Sequence, residues 1–283
     1  MKRIITGLFV MLFLALFSYA QAGSLMVGVK TWAALWDSGT LNQYEKVFEK
    51  TPDVTEVSIT KNPGYGFLAG PAAGYTTDDG KWSFGAAFLA LGRFRQTMIT
   101  RDLNNGTDYE ASSFDVRYKR MDFDASVNYI VTNWFKVFAG YKFQKYKTEA
   151  DFVFSNGTAR FEGTVEYDAL VHMPAAGVGL SWPVNERLAL GLQMGAMYVI
   201  PAYVDFTSKS GGATDMDERL YTRNSFGFNG EAAATFMVSG GVIAQLGYRV
   251  QIFEFNATPS TVSGQTKGTD LTHGIVISAF MLL

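Results

Sequence analysis

The chain has 283 residues, 48% hydrophobic, 15% aromatic and only 18% charged, with a formal net charge of −2 and no cysteine. Without cysteine there is no disulfide scaffold, thiolate metal site or cysteine nucleophile, and the near-neutral balance excludes the dense basic footprint of a nucleic-acid binder. Its 29 glycines beside 23 Phe and 14 Tyr suit a β protein rich in turns and aromatic surface better than a soluble core.

Taken from the N-terminus, Lys2 and Arg3 precede an apolar run from Ile4 to Phe17, and Ala20-Gln21-Ala22 follows with small residues. This is the pattern of a removable secretory signal over residues 1–22, because the run is shorter than the roughly 20 residues of a spanning helix. Residues 23–283 form the mature chain. Every later apolar stretch is broken by Gly, Lys, Asp or Gln, so any membrane crossing uses strands.

The first predicted strand is Ser24–Trp36, with Lys30 inward. After it, Leu41, Tyr44, Val47 and Phe48 recur at helical spacing behind Ser38 or Thr40, which predicts a short amphipathic loop helix packed on the strands rather than a lid. The second strand, Gly64–Thr76, carries Tyr65, Phe67, Ala69, Pro71, Ala73 and Tyr75 on one face and Gly64, Gly66, Gly70, Ala72 and Gly74 on the other. Ser83, Gly85 and Ala87 of the third, Trp82–Met98, extend this smooth inner wall, and the same strand is read with Arg93 and Arg95 inward. The space beside the small residues is read as room for long basic side chains to cross.

In the fourth strand, Phe114–Val131, the odd positions from Met121 to Val131 are greasy, while Asp122, Asp124, Ser126 and Asn128 occupy the other face. The fifth, Phe135–Tyr146, alternates the same way, with Lys142 inward. A turn over Thr132-Asn133-Trp134 keeps the faces matched and sets Asp124 opposite Lys142. In the sixth, Thr164–Trp182, alternation puts His172 on the greasy side; Pro174, which cannot donate to a ladder, predicts a bulge that turns His172 inward.

The seventh strand is Leu188–Val204. The loop after it holds Asp215, Asp217 and Glu218, which lack the glycine and spacing of an EF-hand and read as a solvated acidic loop. The eighth and ninth strands, Asn224–Val238 and Val242–Phe255, join through Ser239-Gly240-Gly241, a register that sets Glu231 opposite Arg249. Gln193, Asn229, Gln245 and Gln251 also point inward. The tenth strand, Leu271–Leu283, begins near His273, Asp270, Thr272, Ser260 and Ser263, whose spacing matches no catalytic motif; a rim histidine at the water boundary is the plainer reading. The Asn-Gly-Thr sequences at Asn105 and Asn156 read as turns. No phosphate-loop, zinc or cofactor motif is present.

Three features select a membrane barrel over a soluble sandwich. The segments exceed the roughly five or six residues usual for globular strands. Connections alternate between short ones, such as 77–81 and 183–187, and long ones, such as 37–63 and 205–223. Tyr75, Trp82, Tyr129, Trp134 and Trp182 flank the short turns as an interfacial girdle.

An even strand number, greasy outer faces, charged inner faces and this loop asymmetry make the mature chain resemble Gram-negative outer-membrane β-barrels along nearly its whole length. The final strand departs from the usual pattern, ending in Leu283 with Phe280 on the opposite parity. The resemblance implies an all-β, antiparallel up-and-down barrel of ten strands with periplasmic termini. It implies outer-membrane lipid, lipopolysaccharide and the barrel-assembly machinery as partners, and a monomer. The expected function is a narrow channel or small-solute uptake barrel, non-enzymatic and without cofactor or metal, whose polar lumen is formed by Arg93, Arg95, Asp122, Asp124, Lys142, Glu231 and Arg249. The alternatives are a surface-recognition barrel with a plugged lumen, and a rim hydrolase using His273.

Overall fold

Period-two alternation becomes a continuous antiparallel ladder. The computed structural model describes residues 23–39, 41, 42, 45, 56–104, 107–155, 160–200, 203–210, 213–221, 224–255 and 268–283. The expected signal segment, the Asn105 and Asn156 turns and the loop residues Ser260 and Ser263 lie outside them. Among the described residues the strands are β1 (Gly23–Asp37), β2 (Glu56–Thr77), β3 (Trp82–Asn104), β4 (Thr107–Thr132), β5 (Phe135–Ser155), β6 (Arg160–Pro183), β7 (Leu188–Val199), β8 (Tyr203–Ser210), β9 (Ala213–Tyr221), β10 (Ser225–Ser239), β11 (Val242–Phe255) and β12 (Gly268–Leu282).

β7 and β8 both pair with β6, and β10 and β9 pair with β7 and β8 respectively, so each couple is one barrel strand in two lengths. β1 pairs with β2 and with β12, and β5 pairs with β6, closing a ten-strand barrel; above it, among the described residues, β9 pairs only with β8 and the first residues of β2 only with β3. At Gly28 the close approach of β12 requires glycine, because a Cβ there would strike the Ala279 carbonyl.

Among the described residues, three of the long connections, 99–113, 147–163 and 205–223, are largely strand. β3 and β4 stay paired out to Asn104 and Thr107, β5 and β6 out to Ser155 and Arg160, and β8 with β9 forms a hairpin through the expected acidic loop. Charged residues on both faces had read as loop; above a bilayer both faces of a strand are solvated, and the ladder satisfies the backbone. The result is a tall wall of β2 to β6 beside the shorter β1, β11 and β12.

Two-residue turns with an adjoining bulge replace the expected three-residue turns. The β4–β5 register shifts between Ile130 and Thr132, and the β10–β11 register between Met237 and Ser239. Gly240 and Gly241 have φ of 57° and 79°, which fits a mirror-image hairpin turn that follows the strand twist. In the 77–82 turn, the Thr77 hydroxyl and the Lys81 N–H hold the Asp79 carboxyl below its usual pKa.

The third strand corrects the sequence reading. Leu91 has a left-handed φ of 64°, and the register to β4 slips between Leu89 and Gly92. Below this bulge Trp82, Phe84 and Phe88 face outward; above it Phe94, Gln96 and Met98 are buried. Arg93 and Arg95 therefore lie on the outer wall, not in the lumen. The opposite correction applies to β6. Its pairing with β5 runs through Tyr141↔Pro174 and Phe143↔His172 without a shift, so His172 stays on the outer face, hydrogen-bonded to Tyr141. Ile200 donates to the His172 carbonyl at 2.9 Å, so alternation points the donor that Pro174 lacks toward the same neighbour, where the β7 ladder ends. The missing N–H falls at a strand break and needs no bulge.

Candidate functional site

The lumen is filled in layers, and β1 spans them. Its even positions point inward: Lys30, then Trp32, Ala34 and Trp36, all buried except the partly exposed Lys30. Beyond β1, Gly39, Leu41, Asn42 and Glu45 take helical backbone, with Asn42 N–H donating to the Ser38 carbonyl at 3.0 Å. Tyr44, Val47 and Phe48 lie outside the described residues.

The middle layer surrounds Trp32. The Arg120 guanidinium, the Lys142 ammonium and the Arg249 guanidinium stand 5.3, 6.0 and 5.0 Å from its ring centroid, within cation–π range. Arg120 makes a fork to Asp122 at 2.7 and 2.8 Å and donates to the Thr272 hydroxyl at 2.7 Å. Lys142 bridges Asp124 at 2.7 Å and Asp122 at 3.3 Å, and Arg249 reaches the other oxygen of Asp124 at 2.8 Å. Gln144 donates to Asp122, and Gln144 and Gln251 exchange hydrogen bonds of 3.1 Å across the lumen. The Arg120 and Asp122 side chains have no exposed surface. Charges so far from water persist only when paired, and each carboxylate here has more than one donor.

Register and side-chain contact differ for one pair. Asp124↔Lys142 and Glu231↔Arg249 are both Cα partners. The first is also an ion pair. Glu231 instead takes Lys30, at 3.0 Å from across the barrel, while Arg249 spans from Asn229 to Asp124. Arg120 is absent from the sequence reading although the parity that placed Asp122 inward also covers it. The Lys30–Glu231 contact joins residues 201 apart in sequence, and only barrel closure brings them together.

Above the charges sits an apolar stopper. Trp36 packs on Phe94, Tyr118 and Tyr146 at ring distances of 5.0, 4.3 and 5.3 Å, and Leu41, Met98, Tyr167, Val171, Met197 and Phe253 complete it. Asp270 fixes the stopper by accepting from Trp36 Nε1 at 2.9 Å and from the Gly39 N–H at 3.3 Å. Lys61 ties Asp37 and Glu45 together, and Asn42 reaches the Thr269 carbonyl. Four cations (Lys30, Arg120, Lys142, Arg249) thus share three carboxylates (Asp122, Asp124, Glu231). Below the charges, toward the short turns, is a cavity of about 340 Å³ lined by Ser83, Lys136, Gln193, Glu231, Thr235 and Gln245 among others.

The rim histidine is not assembled with its sequence neighbours. Asp270 and Thr272 are buried inward, whereas His273 is on the outer face, hydrogen-bonded to Tyr248 at 2.5 Å. His172 with Tyr141 repeats this arrangement on β5 and β6. Among the described residues no group of three His, Cys, Asp or Glu is placed to hold a metal ion; the side chains of Asp215, Asp217 and Glu218 are outside the description.

Comparison with known proteins agrees with this architecture. No family model matches the chain, and no curated protein matches it in sequence. Among solved structures it is similar to the outer membrane protease OmpT from Escherichia coli, with 13% identity, a TM-score of 0.58 and coverage of 94% of this chain and 98% of that one. Fainter similarities include the translocator domain of the autotransporter NalP from Neisseria meningitidis, at 11% identity, TM-score 0.44, 99% of this chain and 95% of that one. Another is the Pseudomonas putida toluene transporter TodX, at 9% identity, TM-score 0.32, 94% of this chain and 91% of that one. At these identities the likeness speaks to the fold alone. The lipid-facing wall, the girdle of Trp82, Trp134 and Trp182 and the closed ladder define the class: the protein is an outer-membrane β-barrel of the Gram-negative type, with ten strands.

Proposed function

We propose that this is a closed-lumen surface barrel that acts through its tall outer wall and loops rather than by conducting solutes. The observation that carries the reading is the occupied cross-section at Trp32, where Arg120, Asp122, Gln144 and Gln251 are at most 1% exposed and Lys142 and Arg249 only 4%. Ten strands enclose little more space than the eight whose interior side chains can fill, and here ion pairs and a stacked aromatic layer fill it. The wall supplies what a recognition role needs, since β3 to β6 run 21 to 26 residues where a tilted crossing takes about 9 to 11. Lipopolysaccharide around the wall and the barrel-assembly machinery acting on β12 complete the set of partners under this reading.

Planar-bilayer recording tests it. The wild-type barrel is expected to be silent, and Trp32→Ala combined with Asp124→Ala and Arg249→Ala is expected to conduct. Steady unitary conductance from the wild type would overturn the reading in favour of a narrow uptake channel. That second reading draws on the polar cavity below Lys30 and Glu231, which would be its inner vestibule.

A further inference from the structure

The cavity beneath Glu231 holds a cation that the ion-pair layer does not use. Lys136 points inward from β5, in a register row that runs Lys136↔Gly179, Gly179↔Gln193 and Gln193↔Glu231. Glycine at 179 decides how its side chain lies. A Cβ there would come within 2.4 Å of Lys136 Cε and 2.9 Å of its Cγ, so the lysine stem runs across β6 rather than down to the nearby turn. One rung higher, the buried Phe138 ring lies over Gly177 and Gly195 in the same way and separates this row from the Lys142 layer.

Among the described residues that line the cavity, Lys136 is the one cation and Glu231 the one carboxylate. Glu231 attracts Lys136 but gives both oxygens to Lys30, at 3.3 and 3.0 Å, and among the described residues Lys136 makes no ion pair or hydrogen bond. Arg249, the Cα partner of Glu231, is taken by Asn229 and Asp124. Lys30 and Glu231 cancel, so the cavity keeps a single positive charge. Around it the side chains of Ser83, Gln193, Thr235 and Gln245 make no hydrogen bond among the described residues either.

The other end of the cavity is lined by Thr132, Asn133 and Trp134, exposed residues of the β4–β5 turn. It therefore opens at the short-turn, periplasmic end, while the layer around Trp32 shuts it off from the cell surface. Its volume of about 340 Å³ is that of a small-molecule site, about 300–1,000 Å³. One uncompensated ammonium suits one carboxylate, and Glu231 in the same lining repels the second charge of a phosphate monoester. Two primary amides and two hydroxyls, each able to donate and accept, suit hydroxyl groups on the rest of the ligand.

We propose that this cavity binds a small hydroxylated monocarboxylate, such as a sugar acid, from the periplasm. Its carboxylate sits on Lys136 and its hydroxyls on Gln193, Thr235 and Gln245. The proposal rests on the barrel fold and not on whether the lumen conducts, so a conducting wild type would leave it standing.

The test is calorimetric titration of D-glucuronate into the full barrel, held at neutral pH in an uncharged polyoxyethylene detergent. D-Glucose and D-glucose 6-phosphate are the comparison ligands. Glucuronate is expected to bind saturably at one site, about tenfold or more tighter than either. Lys136→Gln is expected to weaken it about tenfold, the loss of one charge-assisted contact. Gly179→Ala, which pushes the lysine stem aside but keeps its charge, is expected to weaken it several fold. Lys81→Gln, on the exposed 77–82 turn, stays within about twofold of wild type. Heat-modifiable gel mobility reports folding; if Lys136→Gln does not fold, Gly179→Ala carries the test. Absence of saturable glucuronate binding would overturn the proposal, as would equal binding of glucose or tighter binding of the phosphate. So would unchanged affinity in Lys136→Gln and Gly179→Ala, or an equal loss in Lys81→Gln.

Discussion

At the scale of residues, two Arg–Asp forks show how surroundings set the worth of one contact. Arg120 with Asp122 is completely buried; Arg95 with Asp115 makes the same fork with the arginine side chain 70% exposed. Breaking a buried pair leaves an uncompensated charge, so Arg120→Met is expected to lower stability by about 3–5 kcal/mol. Adding Asp122→Leu should recover most of that, because two apolar groups need no partner. Arg95→Ala is expected to cost less than about 1 kcal/mol, since water and salt screen the exposed pair. Urea unfolding of the refolded barrel, followed by tryptophan fluorescence, measures all three. The inward charges Asp122, Asp124 and Lys142 could be read from alternation alone, and Arg120 could have been by extending the parity one step. Which cation each carboxylate takes could not, because Lys30 and Arg249 reach their partners across a lumen that exists only after closure.

At the scale of elements, a single residue decides which face of β3 carries charge. Deleting Leu91 removes the one extra residue and makes the ladder regular from Leu89↔Asp122 to Gly92↔Arg120, so Arg93 and Arg95 stay outward and Phe94, Gln96 and Met98 stay inward. This variant is expected to keep the heat-modifiable folded form, and its loss would mean that Leu91 is not the extra residue. Leu91→Asn keeps the bulge, and because asparagine accepts a left-handed φ it is expected to stay within about 1 kcal/mol of wild type. Neither Leu91 nor its neighbours Ala90 and Gly92 announce the bulge, and strict alternation misplaced two arginines for that reason. At Pro174 the error ran the other way. A missing donor predicted a bulge, and the fold instead placed it beside the gap between β7 and β8.

At the scale of the whole molecule, the barrel is a short closed cylinder carrying a tall partial wall. The β8–β9 hairpin belongs to the wall, and its removal tests that division. Val199 and Ser225 are Cα partners, so joining Ile200 directly to Asn224 makes a short turn at the top of the β7–β10 ladder. The trimmed barrel is expected to fold, remain heat-modifiable and stay electrically silent, because the layer around Trp32 is untouched. Conductance in that variant would mean that the wall, rather than the ion-pair layer, holds the lumen shut.

By itself the sequence determined the ladder: a side-chain period of two and a greasy face about as long as a bilayer is thick dictate the strands, the short-turn girdle and the registers that set Asp124 opposite Lys142 and Glu231 opposite Arg249. The tertiary structure alone decided what lies across the barrel. Closure brings β1 against β12, gives Glu231 to Lys30 and stacks three cations on Trp32, while the Leu91 bulge lines up Arg93 with Lys119 and Lys147 on the outer wall. Those contacts depend on curvature and on one bulge, and neither is written in local alternation.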